Sequence, residues 1–233
     1  MIRQRHFSRG RIAVLLSLLC LLCGAAQAAE YLQRLTVLFY ASFDIVIPPS
    51  TTISAEVGQF NPSMPPSSFT VVPGGNGNQL LISDGGTQTE TTLHGQFKKA
   101  FDGTVLIATY RFQALQYDSG LVVQLEDSSD QGILDCGWDG GNIKVNGALT
   151  GIHYDHNTVY DVTTRLVKAP AGAMTWTLEV RENGVLTGIA TGLLTLPGPF
   201  TIKCIDLIRP AGESAGTFYV DEMKVTSLDM LPY

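Results

Sequence analysis

From residue 35 onward the apolar positions fall in twos. Met174 to Glu182 is the cleanest case: Met174, Trp176, Leu178 and Val180 alternate with Thr175, Thr177, Glu179 and Arg181. That is the period of a strand with one face in a core. Asn183-Gly184 follows, a dipeptide suited to two-residue hairpins because both positions adopt positive φ. Val185 to Ala190 then returns. Val159 to Val167 sets Tyr160, Val162, Thr164 and Leu166 against Asp161, Thr163 and Arg165, and Gly120 to Glu126 groups Leu121, Val123 and Leu125. Gly103 to Phe112 is apolar on both faces at its start, as a central strand is. Gly132 to Trp138 and Asn142 to Asn146 are joined by the hairpin signal Asp139-Gly140-Gly141.

Further strands are predicted at Leu35–Phe43, Phe69–Val72, Gln79–Ser83, Thr89–Phe97, Phe200–Ile208 and Thr217–Ser227. Ile47 to Pro73 is rich in proline, serine and threonine and reads as an irregular crossover. No useful run of helical period follows the leader. About a dozen short strands separated by turn signals predict an all-β, two-sheet antiparallel β-sandwich, with residues 29–233 as one domain.

Residues 1–28 read as a secretory signal peptide. Arg3, Arg5, Arg9 and Arg11 form a basic start, Ile12 to Leu22 an apolar run, and Ala26-Gln27-Ala28 a small-x-small cleavage site. The expected location is therefore secreted, periplasmic or extracellular. The alternative is a lipid anchor at Cys23 in Leu21-Leu22-Cys23-Gly24. The leader carries basic and no acidic residues, so the mature chain is more acidic than the whole chain's −6. That argues against nucleic acid or an anionic membrane surface as partner, since both demand basic patches. No membrane insertion is expected after cleavage. Cys20 and Cys23 leave with the leader, so Cys136 and Cys204 remain. Strict alternation puts Cys136 with Leu134 and Cys204 with Ile202, both toward the core. A disulfide or two buried thiols would satisfy that pattern.

The closing strand, Thr217 to Ser227, carries a conflict. Alternation groups Tyr219, Asp221, Met223 and Val225 on one face and Phe218, Val220, Glu222 and Lys224 on the other. If the first face is the core, Asp221 needs a partner, because an isolated buried carboxylate is very costly. An arginine or lysine, backbone amides, or a bound cation would serve.

Phe218-Tyr219-Val220-Asp221-Glu222-Met223-Lys224-Val225 resembles the closing strand of concanavalin A-like jelly rolls, a group that includes laminin-G-like, lectin/glucanase and carbohydrate-binding modules. The order of predicted elements is similar along most of the mature chain. The resemblance implies a structural calcium held by Asp221 and by Asp44 of Tyr40-Ala41-Ser42-Phe43-Asp44. It also implies a glycan as partner.

No catalytic motif stands out. The glucanase pattern Glu-x-Asp-x-x-Glu is absent. Glu126-Asp127-Ser128-Ser129-Asp130 reads as a solvated loop, with a cation site as alternative. His153-Tyr154-Asp155-His156 and Tyr160 hold the residue types of a His/Tyr lyase, yet sit where a structural turn is expected. Sugar stacking needs an exposed ring beside amides or carboxylates. Trp138, with Asp139 and Asn142, is the first candidate, although Trp138 shares the face of Leu134 and Cys136. Tyr117 is the second. The function expected from sequence is a secreted, non-catalytic binding module for a glycan. The alternatives are a polysaccharide-active glycoside hydrolase or lyase with an unrecognised motif, or a structural or adhesive envelope or matrix protein.

Overall fold

The computed structural model describes residues 32–62, 68–84, 89–117, 120–169, 173–195, 201–212 and 214–231. The expected signal peptide, 1–28, with Cys20 and Cys23, lies outside them. The described strands run in order β1 (Leu32–Ala41), β2 (Gln59–Pro62), β3 (Phe69–Gly74), β4 (Gly77–Asp84), β5 (Thr91–Phe101), β6 (Val105–Ala114), β7 (Leu121–Asp127) and β8 (Gly132–Asp139). They continue with β9 (Asn142–Val145), β10 (Ala148–His153), β11 (Val159–Lys168), β12 (Ala173–Glu182), β13 (Val185–Thr195), β14 (Ile202–Arg209) and β15 (Gly216–Leu231). One sheet has the order β13-β12-β11-β6-β15-β4-β3, with β1 beside β15. The other has the order β10-β9-β8-β7-β14-β5-β2. This is an all-β sandwich of two antiparallel sheets.

Alternation explains the layering. Along β5, Thr91, Leu93, Gly95 and Phe97 are buried while Thr92, His94, Gln96 and Lys98 face outward. The hairpin tips behave as their sequences predict: Asn183 and Gly184 take φ 50° and 79°, and Gly140 and Gly141 take 59° and 75°. Two strands were not legible. β2 has four residues and ends in proline, and β10 is broken by Gly151 at φ 78°.

The closing strand departs from simple alternation. β15 pairs Val220 with Phe112 and Asp221 with Arg111, then resumes at Lys224 with Thr109, so it carries one extra residue. Glu222 sits at the irregularity with φ 52°. A bulge of this kind shifts the side-chain phase by one. Phe218 and Val220 are therefore core residues before it, and Met223 and Val225 after it. The expectation that Tyr219 and Asp221 share the core face with Met223 is corrected: both are only partly buried.

A second irregularity corrects the cysteine expectation. β14 breaks register between Ile202 and Cys204, where two steps oppose the single step from Asp127 to Glu126 on β7. Ile202 belongs to the core, but Cys204 turns outward, toward His94. Cys136 points inward, where its sulfur accepts from the Tyr110 hydroxyl at 3.5 Å. The thiols lie on opposite faces of one sheet with β7 between their strands, so no disulfide forms and both are free.

Candidate active site on the seven-stranded sheet

The outer face of the seven-stranded sheet collects its polar residues into rows, because paired residues on neighbouring strands point the same way. Asn61 of β2 pairs with His94 of β5, His94 with Asp206 of β14, Asp206 with Gln124 of β7, and Gln124 with Asp135 of β8. At about 4.8 Å per strand this row spans about 19 Å. A second row holds Gln59, Gln96, Cys204 and Glu126. Gln59 donates to the Gln96 side chain at 2.7 Å, and Gln124 donates to Asp135 at 2.6 Å. An open cleft of about 490 Å³, lined in part by Glu56, Gln59, Gln96 and Lys98, adjoins one end.

His94 is the centre of this face. Its Nδ1 lies 3.0 Å from the Asp206 carboxylate, and its Nε2 lies 3.2 Å from the Cys204 sulfur. An ionised carboxylate only accepts, so Nδ1 carries the proton and the Nε2 lone pair faces the thiol. The His94 side chain is 23% exposed and that of Asp206 only 3%. Burial pushes the Asp206 carboxyl above its usual range, opposed by the His94 hydrogen bond and charge. Burial, then the Asp206 charge, push Glu126 up to about 7. The same two causes push the Cys204 thiol up to about 12. Buried, mutually coupled titratable groups are a recognised mark of functional sites.

The residues singled out by sequence lie elsewhere, with two exceptions, Cys204 and Glu126. Glu126 is not in a solvated loop: it is buried on β7, while Asp127 caps the following turn by accepting from Ser129 and Gln131. Trp138 is fully buried, 3.9 Å from the Phe112 ring centroid, with its indole N–H donating to Tyr110 at 3.2 Å. No face of that ring is left for a sugar. Asp139 pairs with Lys144 across the hairpin at 2.5 Å, and the Asn142 amide donates to the Gly140 carbonyl at 2.9 Å. Tyr117 is partly exposed at the hairpin end. Its hydroxyl donates to Asp155 at 3.2 Å, and its ring meets His156 edge-on at 4.7 Å. The Asp155 amide donates to Tyr160 at 2.8 Å, which makes the His153–His156 segment a braced turn. None of the strands forming the seven-stranded face contains a tyrosine.

Asp44 accepts from the Asn78 amide at 2.7 Å. Asp221 accepts from its neighbour's amide, Glu222 N–H, at 2.8 Å and lies 3.6 Å from the Arg111 guanidinium. Burial raises Asp221 to about 6, and the charge of nearby Asp44 contributes to the rise. Two of the partners that sequence allowed for Asp221, an arginine and a backbone amide, are thus in place.

No protein-family model matches this chain, and no curated protein matches it. Solved structures do. A marine PL-14 alginate lyase from Aplysia kurodai aligns with TM-score 0.60 at 8% identity, over 82% of this chain and 98% of that one. A carbohydrate esterase from the Shiga toxin-encoding bacteriophage phi24B aligns with TM-score 0.55 at 12% identity, over 83% and 99%. The seed lectin of Lotus tetragonolobus aligns with TM-score 0.51 at 11% identity, over 84% and 100%. The fold is the concanavalin A-like jelly roll. The expectation of a non-catalytic binding module is corrected: two of these three neighbours are named as enzymes acting on carbohydrate, a lyase and an esterase, and an enzyme fits them better.

Proposed function

We propose that this chain is an exported polysaccharide lyase that lays an acidic glycan across the outer face of the seven-stranded sheet and starts β-elimination at His94. The observation that carries the reading is the His94–Asp206 pair. Asp206 fixes the ring and its tautomer, and Nε2 becomes the proton acceptor once substrate displaces the weak Cys204 S–H donor from its lone pair. In the elimination, Nε2 takes the C5 proton of a uronate residue. That electron pair forms the C4=C5 double bond, the C4–O bond breaks, and the departing oxygen takes a proton from the now protonated Nε2 or from solvent. The uronate carboxylate needs hydrogen-bond donors to make C5–H acidic enough. Asn61 pairs directly opposite His94, and Gln96 and Lys98 follow it on the same side of β5. The cleft beside Gln96 and Lys98 offers room for further sugar units. Retaining or inverting hydrolysis needs two available carboxyl groups. Here Asp206 is held by His94, Asp135 by Gln124, Glu56 by Ser42 and Asp130 by Lys203, which leaves Glu126 as the one carboxyl of this face without such a partner among the described residues. The likeness to a lyase and an esterase supports an enzyme acting on carbohydrate, and the residue 1–28 pattern supports export.

The test is incubation of the mature protein with alginate and other polyuronates, following the ultraviolet absorbance of the 4,5-unsaturated chain end. His94→Gln keeps a donor for Asp206 and should preserve the fold, while lowering kcat by roughly 10²–10⁴-fold. New reducing ends without unsaturation would make the enzyme a hydrolase. Absence of any product across the polyuronates would overturn the reading.

A further inference from the structure

We infer that His94, Cys204 and Glu126 form a binding site for a thiophilic divalent cation of the zinc class, whose occupancy switches off the proton transfer at His94. The switching half rests on the lyase reading; the binding half does not. One nitrogen, one sulfur and one carboxylate oxygen from these three residues all lie within 4.8 Å of one another. They come from three adjacent strands, β5, β14 and β7, whose registers fix them. Zinc takes nitrogen, sulfur and oxygen ligands tetrahedrally at about 2.0–2.3 Å, which sets neighbouring ligand atoms about 3.5 Å apart. The Nε2–Sγ separation of 3.2 Å needs only a small opening to reach that.

The surroundings complete the site. Asp206 on Nδ1 reproduces the carboxylate–histidine–metal arrangement that aims the other ring nitrogen at an ion. A sulfur donor selects zinc-class ions over calcium or magnesium, which prefer all-oxygen cages. The partly exposed imidazole gives an entry path, and three protein ligands leave a fourth position open. On binding, the thiol gives its proton to solvent and the sulfur bonds as thiolate. Nε2 has one lone pair, so a coordinated imidazole takes no C5 proton. The two uses of His94 are mutually exclusive.

The experiment strips the purified mature protein with a chelator and titrates Co²⁺ as a spectroscopic stand-in, with Zn²⁺ as competitor. One equivalent of Co²⁺ should give a thiolate-to-cobalt charge-transfer band that Zn²⁺ displaces. Cys204→Ser should abolish the band, and Asp206→Asn should weaken binding roughly 10–100-fold. Stoichiometric Zn²⁺ should suppress formation of unsaturated ends, and chelator should restore it. Absence of the band, or its persistence in Cys204→Ser, would overturn the binding site. Zn²⁺ that binds without inhibiting, or that activates, would overturn the switch. If the metal-free protein yields no product, the lyase reading fails while the Co²⁺ titration still decides the site.

Discussion

On the outer face of the eight-stranded sheet, charge mostly sits where water reaches it. Arg111 lies 3.3 Å from Asp161, and Arg181 lies 2.9 Å from Glu179, with all four side chains about one-third to one-half exposed. On the outer face of the seven-stranded sheet, Asp206, Glu126 and Cys204 are buried around His94. Both faces arise from the same alternation on the same core. Exposed pairs typically stabilise by less than about 1 kcal/mol. Buried ionisable groups cost desolvation that pairing only partly offsets. A face that keeps three such groups together around a partly exposed histidine is better explained by chemistry than by stability, and the two faces should respond to substitution in different ways.

The largest effect is expected in the core between them. Trp138→Ala should cost about 3–5 kcal/mol in urea unfolding, the range for truncating a large buried aromatic. A small change with lost substrate binding would instead return Trp138 to a binding role. On the seven-stranded face, Asp206→Asn should lower kcat by about a hundredfold or more with KM little changed, because the amide no longer enforces the ring tautomer. Rescue by Asp206→Glu would mark Asp206 as a positioning residue. Loss of stability without loss of activity would erase the contrast between the faces.

The pH response of Asp221 is smaller. Its folded-state pKa, about 6, lies above the usual 3.8, so the stabilising contribution is full below about pH 4 and is lost as pH rises through 6. Asp221→Asn should therefore be more stable than the parent by about 1–2 kcal/mol at pH 7.5, with the difference vanishing near pH 4. Smallest of all is the response to calcium. Arg111 and the Glu222 amide already satisfy Asp221, so added calcium should leave the melting temperature unchanged. A calcium-dependent rise, absent from Asp221→Asn and from Asp44→Asn, would assign the ion to that pair.

What the sequence yielded and what it withheld have one physical cause. Uninterrupted alternation, as in Met174–Glu182, gave strands, hairpins and fold class. Phase was lost wherever a strand gained a residue. The irregularity between Ile202 and Cys204 turned a presumed core thiol outward and removed the disulfide, and the one at Glu222 moved Asp221 off the core face. Local composition does not announce such insertions. The candidate site lies on five strands whose adjacency is set by topology, so no linear motif contains it. A usable signal existed nonetheless. Asp206 stands in Cys204-Ile205-Asp206-Leu207-Ile208, a lone carboxylate in an apolar strand. Asp221 presents the same anomaly in the closing strand.

The bulge at Glu222 also bears on how this strand can be reused. β15 is two half-strands in opposite phase, joined by one left-handed residue. A graft, fusion or shortened design that keeps every residue of β15 but builds it as a regular strand without the bulge would present Met223 and Val225 to solvent and bring Lys224 inward. The portable unit is the strand together with its slip, and Gly or Asn at the joint, which tolerate positive φ more readily than Glu, should make it sturdier.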